Sequence, residues 1–186
     1  MSERNYKFRL SKYSDSVRKW LDENPIVIPS ARLHDLTELF EEGLEDISVS
    51  RSKSKVKWGI SVPEDPEQII YVWLDALVNY MTATGYPTTI KVPDIHVVGK
   101  DILKFHAVYW PAFLMAAGYE LPKKIVTHGH WTMGEEKMSK SLGNVIDPMD
   151  VVDKFGLDAF RYYLLKEGKI DSDSSICMID SRDYFI

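Results

Sequence analysis

One cysteine, Cys177, is all that 186 residues supply. That excludes an internal disulfide and a cysteine-built zinc site, and it suits a reducing compartment. Long apolar runs are missing too, and nothing approaches the roughly 18 residues of a membrane-spanning helix. The opening, "MSERNYKFRL", lacks the apolar stretch of a secretory signal and is not an Arg/Ser-rich transit peptide. Positive charge is in deficit, with 23 Lys and Arg against 28 Asp and Glu, a net −5. Such a chain does not coat nucleic acid by bulk charge, so any polyanion contact has to be local. There is no internal repeat, no low-complexity linker and no Walker-type glycine loop.

What remains is globular: 45% hydrophobic and 27% charged residues, at the length of one ordinary domain. In "SKYSDSVRKWLDENP", Tyr13, Val17, Trp20 and Leu21 recur at helical spacing until Pro25. In "PSARLHDLTELFEEG", Leu33, Leu36, Leu39 and Phe40 form a second stripe, with Gly43 as its C-cap. "DISVSR" then alternates like a half-buried strand, "SRSKSKVKWG" reads as a basic turn and "WGISVP" as the partner strand. "QIIYVWL" reads as a strand covered on both faces, followed by a helix from Asp75 to Thr84.

A cleaner unit comes next. The strand "DIHVVGKD", the apolar helix "ILKFHAVYWPAFLMAAG" bent at Pro111, and the strand "KIVTHGHW" make a βαβ unit. Ligands of such parallel sheets sit at the carboxyl ends of the strands. Both "GKD" and "HGHWTMGEEKMSKS" fall there. Beyond Pro148 two helical pieces are expected, broken at Phe155-Gly156, with Asp158 in the first turn of the second.

Lys137 and Lys140, with Ser139 and Ser141, stand on the segment after the last of these strands. Two ammonium groups and two hydroxyls on one loop can wrap a triphosphate. They stabilise the charge that grows on a departing pyrophosphate, most strongly where water is excluded. A plain solvated basic loop is the alternative for a K-x-S-K string standing alone. His128 and His130 with Glu135 and Glu136 lack a properly spaced third ligand, which argues against a metal.

"KMSKSLGNVIDP" (137–148) resembles the second ATP motif of class I aminoacyl-tRNA synthetases. "SVSR" (48–51), "YVWLDALVNYM" (71–81) and "VVGKDILKFHAVYWPA" (97–112) narrow the resemblance to methionyl-tRNA synthetases of the mitochondrial and bacterial type, over roughly residues 4–173. The resemblance implies an α/β fold: the second half of a class I, Rossmann-like parallel sheet with flanking helices over 1–146, then the start of a helical stem-contact region over 147–186. It implies methionine-binding roles for Trp73, Ala76, Tyr80, Ile102 and His106. It implies ATP-binding roles for Gly99, Asp101, Lys137, Ser139, Lys140 and Ser141, with Lys137 and Lys140 catalytic. Leu77 and Asn79 depart from the proline and glycine that other members often carry there.

By themselves, Trp73 and Tyr80 could fill a core, Asp101 could be a helix N-cap, and His106 could be a satisfied core histidine. Arg51 fits a family arginine near the substrates equally as well as a solvated turn. The implied substrates are methionine, ATP with Mg2+, and tRNA(Met), in the mitochondrial matrix or alternatively the cytoplasm. The family's His-x-Gly-His motif is not found; only "HGH" occurs, at 128–130. Partners are therefore expected in an upstream catalytic half and a downstream anticodon-binding domain, and these residues alone are expected to be nearly inactive and prone to aggregate. Rival expectations are another class I synthetase, a non-catalytic ATP- or RNA-binding fragment, and a truncated by-product.

Overall fold

The computed structural model describes residues 4–176. Cys177 and the rest of the tail to Ile186, whose sequence shows no clear period, lie outside the described residues. The described residues gather into two compact units, 4–97 with 101–126, and 98–100 with 127–176.

In the first unit, β1 (Lys7–Phe8) leads into α1 (Ser14–Glu23), which buries Val17 and Leu21, one turn apart. The helix ends where Asn24 turns extended and its Nδ2 donates to the Trp20 carbonyl at 2.9 Å. After β2 (Val27–Ile28), α2 (His34–Glu42) follows a 3-10 turn and stops at Gly43, whose φ of +87° suits glycine. Of its expected stripe only Leu36 is fully buried.

The middle of the unit departs from the alternation pattern. "DISVSR" is not one strand. β3 (Ile47–Ser48) pairs with β1, whereas β4 (Ser50–Ser52) pairs antiparallel with β6 (Asp65–Ile70). Val49 is the pivot: its N–H donates to the Tyr6 carbonyl and its carbonyl accepts from Tyr71 N–H, each at 2.9 Å. β5 (Ser61–Val62) pairs with β6 rather than with β4, so β6 is the centre of a three-stranded antiparallel sheet. The expected doubly covered strand "QIIYVWL" ends at Ile70, and only Ile69 on it is buried. α3 (Val72–Ala83) begins at once, three residues ahead of its expected start. Helical spacing of Trp73, Leu77, Tyr80 and Met81 overrides the β-rich composition here.

Leu77 and Met81 pack with Val92, Trp110 and Leu114 as a buried core. β7 (Ile95–Gly99) leads through a 3-10 turn and a π-helical stretch, Phe105–Tyr109, into α4 (Trp110–Ala117). The Trp110 N–H reaches back five residues to the Phe105 carbonyl. Pro111 offers no N–H to the turn behind it, which is the local cause of the widened helix. Gly118, at φ +73°, closes α4. β8 (Lys124–His128) is the middle strand of the sheet β2–β8–β7, and it runs parallel to β2. This is the α/β architecture with a parallel sheet and flanking helices that the resemblance implies.

In the second unit, "KIVTHGHW" is divided. β8 stops at His128, Gly129 and His130 form a turn, and β9 (Trp131–Met133) pairs with β10 (Glu136–Lys137) and, in parallel, with β11 (Ser174–Ser175). α5 (Pro148–Phe155) and α6 (Leu157–Glu167) are separated by Gly156 at φ +86°. Asp147 caps α5 by accepting the Met149 N–H at 2.8 Å, with Pro148 in the first turn.

Candidate active site

The lysine-serine segment is a shaped loop. The Asn144 side chain spans it: Oδ1 accepts the Ser139 N–H at 2.8 Å and Nδ2 donates to the Lys137 carbonyl at 3.3 Å. The Leu142 N–H donates to the Ser139 carbonyl at 3.2 Å, Ser139 Oγ lies 3.1 Å from Ser141 Oγ, and Gly143 turns at φ +66°. Lys137 ends β10 and Lys140 stands at the tip, and both are exposed. All four expected phosphate contacts therefore sit on one turn. Asn144 was not singled out in the sequence, although its place after a glycine just beyond the motif is the kind of position where side-chain-to-backbone bonds organise loops.

Gly99, also in this unit, ends β7. A side chain there would meet only His128 Cε1 at 3.9 Å and His130 Nε2 at 4.0 Å, ordinary contacts, so packing does not demand glycine. In the "HGH" triplet only His128 belongs to β8, yet both rings approach the same point, the β-carbon position of Gly99. Among the described residues no group of three His, Cys, Asp or Glu could hold a metal ion.

In the first unit, Trp73, Ala76 and Tyr80 follow one face of α3, beside the core stripe of Leu77 and Met81. Leu77, where the family often has proline, is a buried helix residue. The Tyr80 hydroxyl lies 2.8 Å from His106 Nε2, and His106 Nδ1 lies 2.9 Å from the Ile102 carbonyl. A carbonyl only accepts, so Nδ1 carries the proton, Nε2 is the acceptor and Tyr80 donates. Burial keeps the His106 ring neutral by pulling its pKa below the usual imidazole value. Tyr80, Ile102 and His106 are thus joined in one relay. Trp73 stacks on Phe105, with centroids 3.7 Å apart. Phe105 is a partner that sequence reading passed over, an aromatic beside His106 in the widened helix. Ala76 is exposed one turn along α3, and Asp101 is exposed in the 3-10 turn Lys100–Ile102.

Arg51 is half-buried rather than solvated. Its Nη1 donates to Ser48 Oγ and to the Ser50 carbonyl, each at 2.8 Å, and the guanidinium lies over Tyr71, 4.1 Å from the ring centroid. It lines a cleft of about 280 Å³ together with Tyr71, Trp73, Lys104 and Phe105.

Behind Tyr80 sits a second buried imidazole, His96, edge-on at 4.4 Å and 5.7 Å from His106. Burial, and then His106, lower its pKa from 6.5 to about 4. The unfolded chain protonates this ring near pH 6.5 and the folded one near 4, so its share of stability is intact above 6.5 and is lost as pH falls through that window. Urea midpoints are expected to drop between pH 7.5 and 4.5, and His96→Phe is expected to flatten that dependence. An unchanged slope in the variant would remove His96 from the account.

The family described as "tRNA synthetases class I (M)" matches residues 1–182. A probable mitochondrial methionine–tRNA ligase of Dictyostelium discoideum is 48% identical over 93% of this chain and 31% of its own length. The methionine–tRNA ligase of Rhizobium meliloti is 50% identical over 94% of this chain and 35% of its own. Mycobacterium tuberculosis methionyl-tRNA synthetase, solved in complex with methionyl-adenylate, superposes with a TM-score of 0.88 at 43% identity, covering 95% of this chain and 36% of that one. The chain spans about a third of the length of the curated relatives it matches.

Proposed function

We propose a function from one premise: this chain belongs to the class I tRNA synthetase family. It supplies part of the catalytic region of a methionine–tRNA ligase, which activates methionine with ATP and passes it to tRNA(Met). Residues 1–146 serve as the second half of the catalytic domain and 147–186 begin the stem-contact region. Its compartment is the mitochondrial matrix. Similarity to mitochondrial relatives, among them one of Homo sapiens at 50% identity, favours that compartment, and the bacterial relative leaves the cytoplasm as the other reading.

In the first step the methionine carboxylate oxygen attacks the α-phosphorus of ATP. A new P–O bond forms, the α–β bridging bond breaks, and pyrophosphate leaves with that electron pair. Lys137 and Lys140 lie against the β- and γ-phosphates and stabilise the growing charge, while Ser139 and Ser141 donate hydroxyl bonds. Gly99 lets adenosine approach the backbone and Asp101 accepts from the nucleotide. Mg2+ arrives on the phosphates as part of the substrate. Trp73, Ala76, Tyr80, Ile102 and His106 enclose the thioether, where each sulfur–aromatic contact contributes about 0.3–1.5 kcal/mol. Burial, which disfavours the charged form of His106, suits an apolar substrate.

The observation that carries this reading is the Asn144-braced turn presenting Lys137, Ser139, Lys140 and Ser141 together. Its test is methionine-dependent ATP–pyrophosphate exchange in a polypeptide that carries this segment. Exchange supported by leucine instead of methionine would overturn the substrate assignment. On the amino-acid side, Tyr80→Phe strips His106 Nε2 of its donor. Methionine affinity is expected to fall roughly 5- to 10-fold, the worth of one buried hydrogen bond, with the ATP affinity unchanged.

A further inference from the structure

Asp173 stands outside every motif, yet both of its carboxylate oxygens are engaged. Its two oxygens each lie 2.8 Å from Lys100 Nζ, the residue that follows Gly99 at the end of β7. Oδ1 also accepts the His130 N–H at 2.8 Å. The neighbouring Ser174 N–H donates to the His130 carbonyl at 2.9 Å, so both backbone groups of His130 are held by residues 173–174. A β-carbon on Gly129 would collide with the Ser172 carbonyl oxygen, which shows how closely this segment presses on residues 128–130. Ser174 Oγ in turn accepts from Lys169 N–H and donates to the Glu167 carbonyl, at the end of α6.

We propose that Asp173 is a positioning residue for the nucleotide: it clamps the strand end bearing Gly99 and Lys100 to the His128–His130 turn. It touches no substrate. The Lys100 ammonium and the His130 amide hold its carboxyl below the usual range, consistent with an ionised clamp at neutral pH. The segment after α6 thereby sets the geometry of the adenosine floor. This rests on the ATP-binding reading above and deepens it.

The experiment is a pair of NMR titrations of a polypeptide that carries this segment and supports exchange, with ATP and with methionine, for the unaltered protein, Asp173→Ala and Asp173→Asn. The ATP dissociation constant is expected to rise about tenfold in Asp173→Ala. It should rise less in Asp173→Asn, which keeps an acceptor for the His130 N–H. Methionine affinity should hold in both, because Trp73, Tyr80 and His106 belong to the other unit. Adding Lys100→Met to Asp173→Ala should change little further, since the two act as one unit. Unchanged ATP affinity in Asp173→Ala overturns the clamp, as does a parallel loss of ATP and methionine binding, which marks a merely structural residue. If the unaltered chain shows no ATP-dependent shift at the Gly99 or His130 amides, the ATP reading falls first and the clamp with it.

Discussion

Lys140→Ala, in a polypeptide that carries this segment and supports exchange, is expected to slow ATP–pyrophosphate exchange about 10²- to 10³-fold. The ammonium stands at the tip of a turn whose backbone is fixed by Asn144, so the alanine variant keeps the loop's shape and loses only the charge. Lys137 leaves the same loop from β10, and the double variant should lose less than the product of the single losses if both serve one leaving group as proposed. Asn144→Ala separates charge from shape. It keeps both lysines, releases the Ser139 N–H and the Lys137 carbonyl, and is expected to slow exchange less than Lys140→Ala does. Exchange indifferent to Lys140 would remove the loop from the chemistry.

The largest expected effect on stability belongs to Trp110→Ala. Trp110 is 1% exposed and belongs, with Leu77, Met81, Val92 and Leu114, to the buried core of the first unit. Truncating so large a side chain costs about 3–5 kcal/mol, through lost transfer energy and the cavity left behind. Its indole N–H has no hydrogen-bond partner among the described residues, so Trp110→Phe forfeits no polar contact and should cost far less. Urea denaturation followed by circular dichroism reads both variants. A loss under about 1 kcal/mol in Trp110→Ala would mean that this core collapses around the gap or does not exist as described.

These two residues mark where sequence reading succeeds and where it stops. The loop was legible because its chemistry is written in consecutive residues, and Gly143 and Pro148 bound it. Helices α1 and α2 were legible because one period runs through each. "QIIYVWL" misled because composition and period disagree there: β-branched residues favour a strand, but Trp73 opens a helical repeat with Leu77, Tyr80 and Met81. "DISVSR" misled because a change of hydrogen-bond partner at Val49 leaves no trace in an alternating pattern. "KIVTHGHW" misled in the same way, since Gly129 turns the chain to meet Ser172, a contact 43 residues away along the sequence. Asn144, Phe105 and Asp173 act through partners that are either backbone groups or distant in sequence, so no local motif announces them. Tyr80 and His106 were expected as separate pocket walls. That they are joined, with the proton on Nδ1 and the acceptor facing Tyr80, needed the geometry of the Ile102 carbonyl.

The division of labour proposed for the loop is sharper than its location. Charge that develops only as the α–β bond breaks is stabilised in the transition state more than in bound ATP, so the lysines should act on rate and hardly on affinity. Single-turnover adenylate formation, followed by rapid quench across a range of ATP concentrations, measures both quantities in one series. For Lys140→Ala the account predicts a rate constant reduced at least about 100-fold, with the ATP dissociation constant moved less than about threefold. An unchanged rate constant with a much weaker ATP affinity would contradict it.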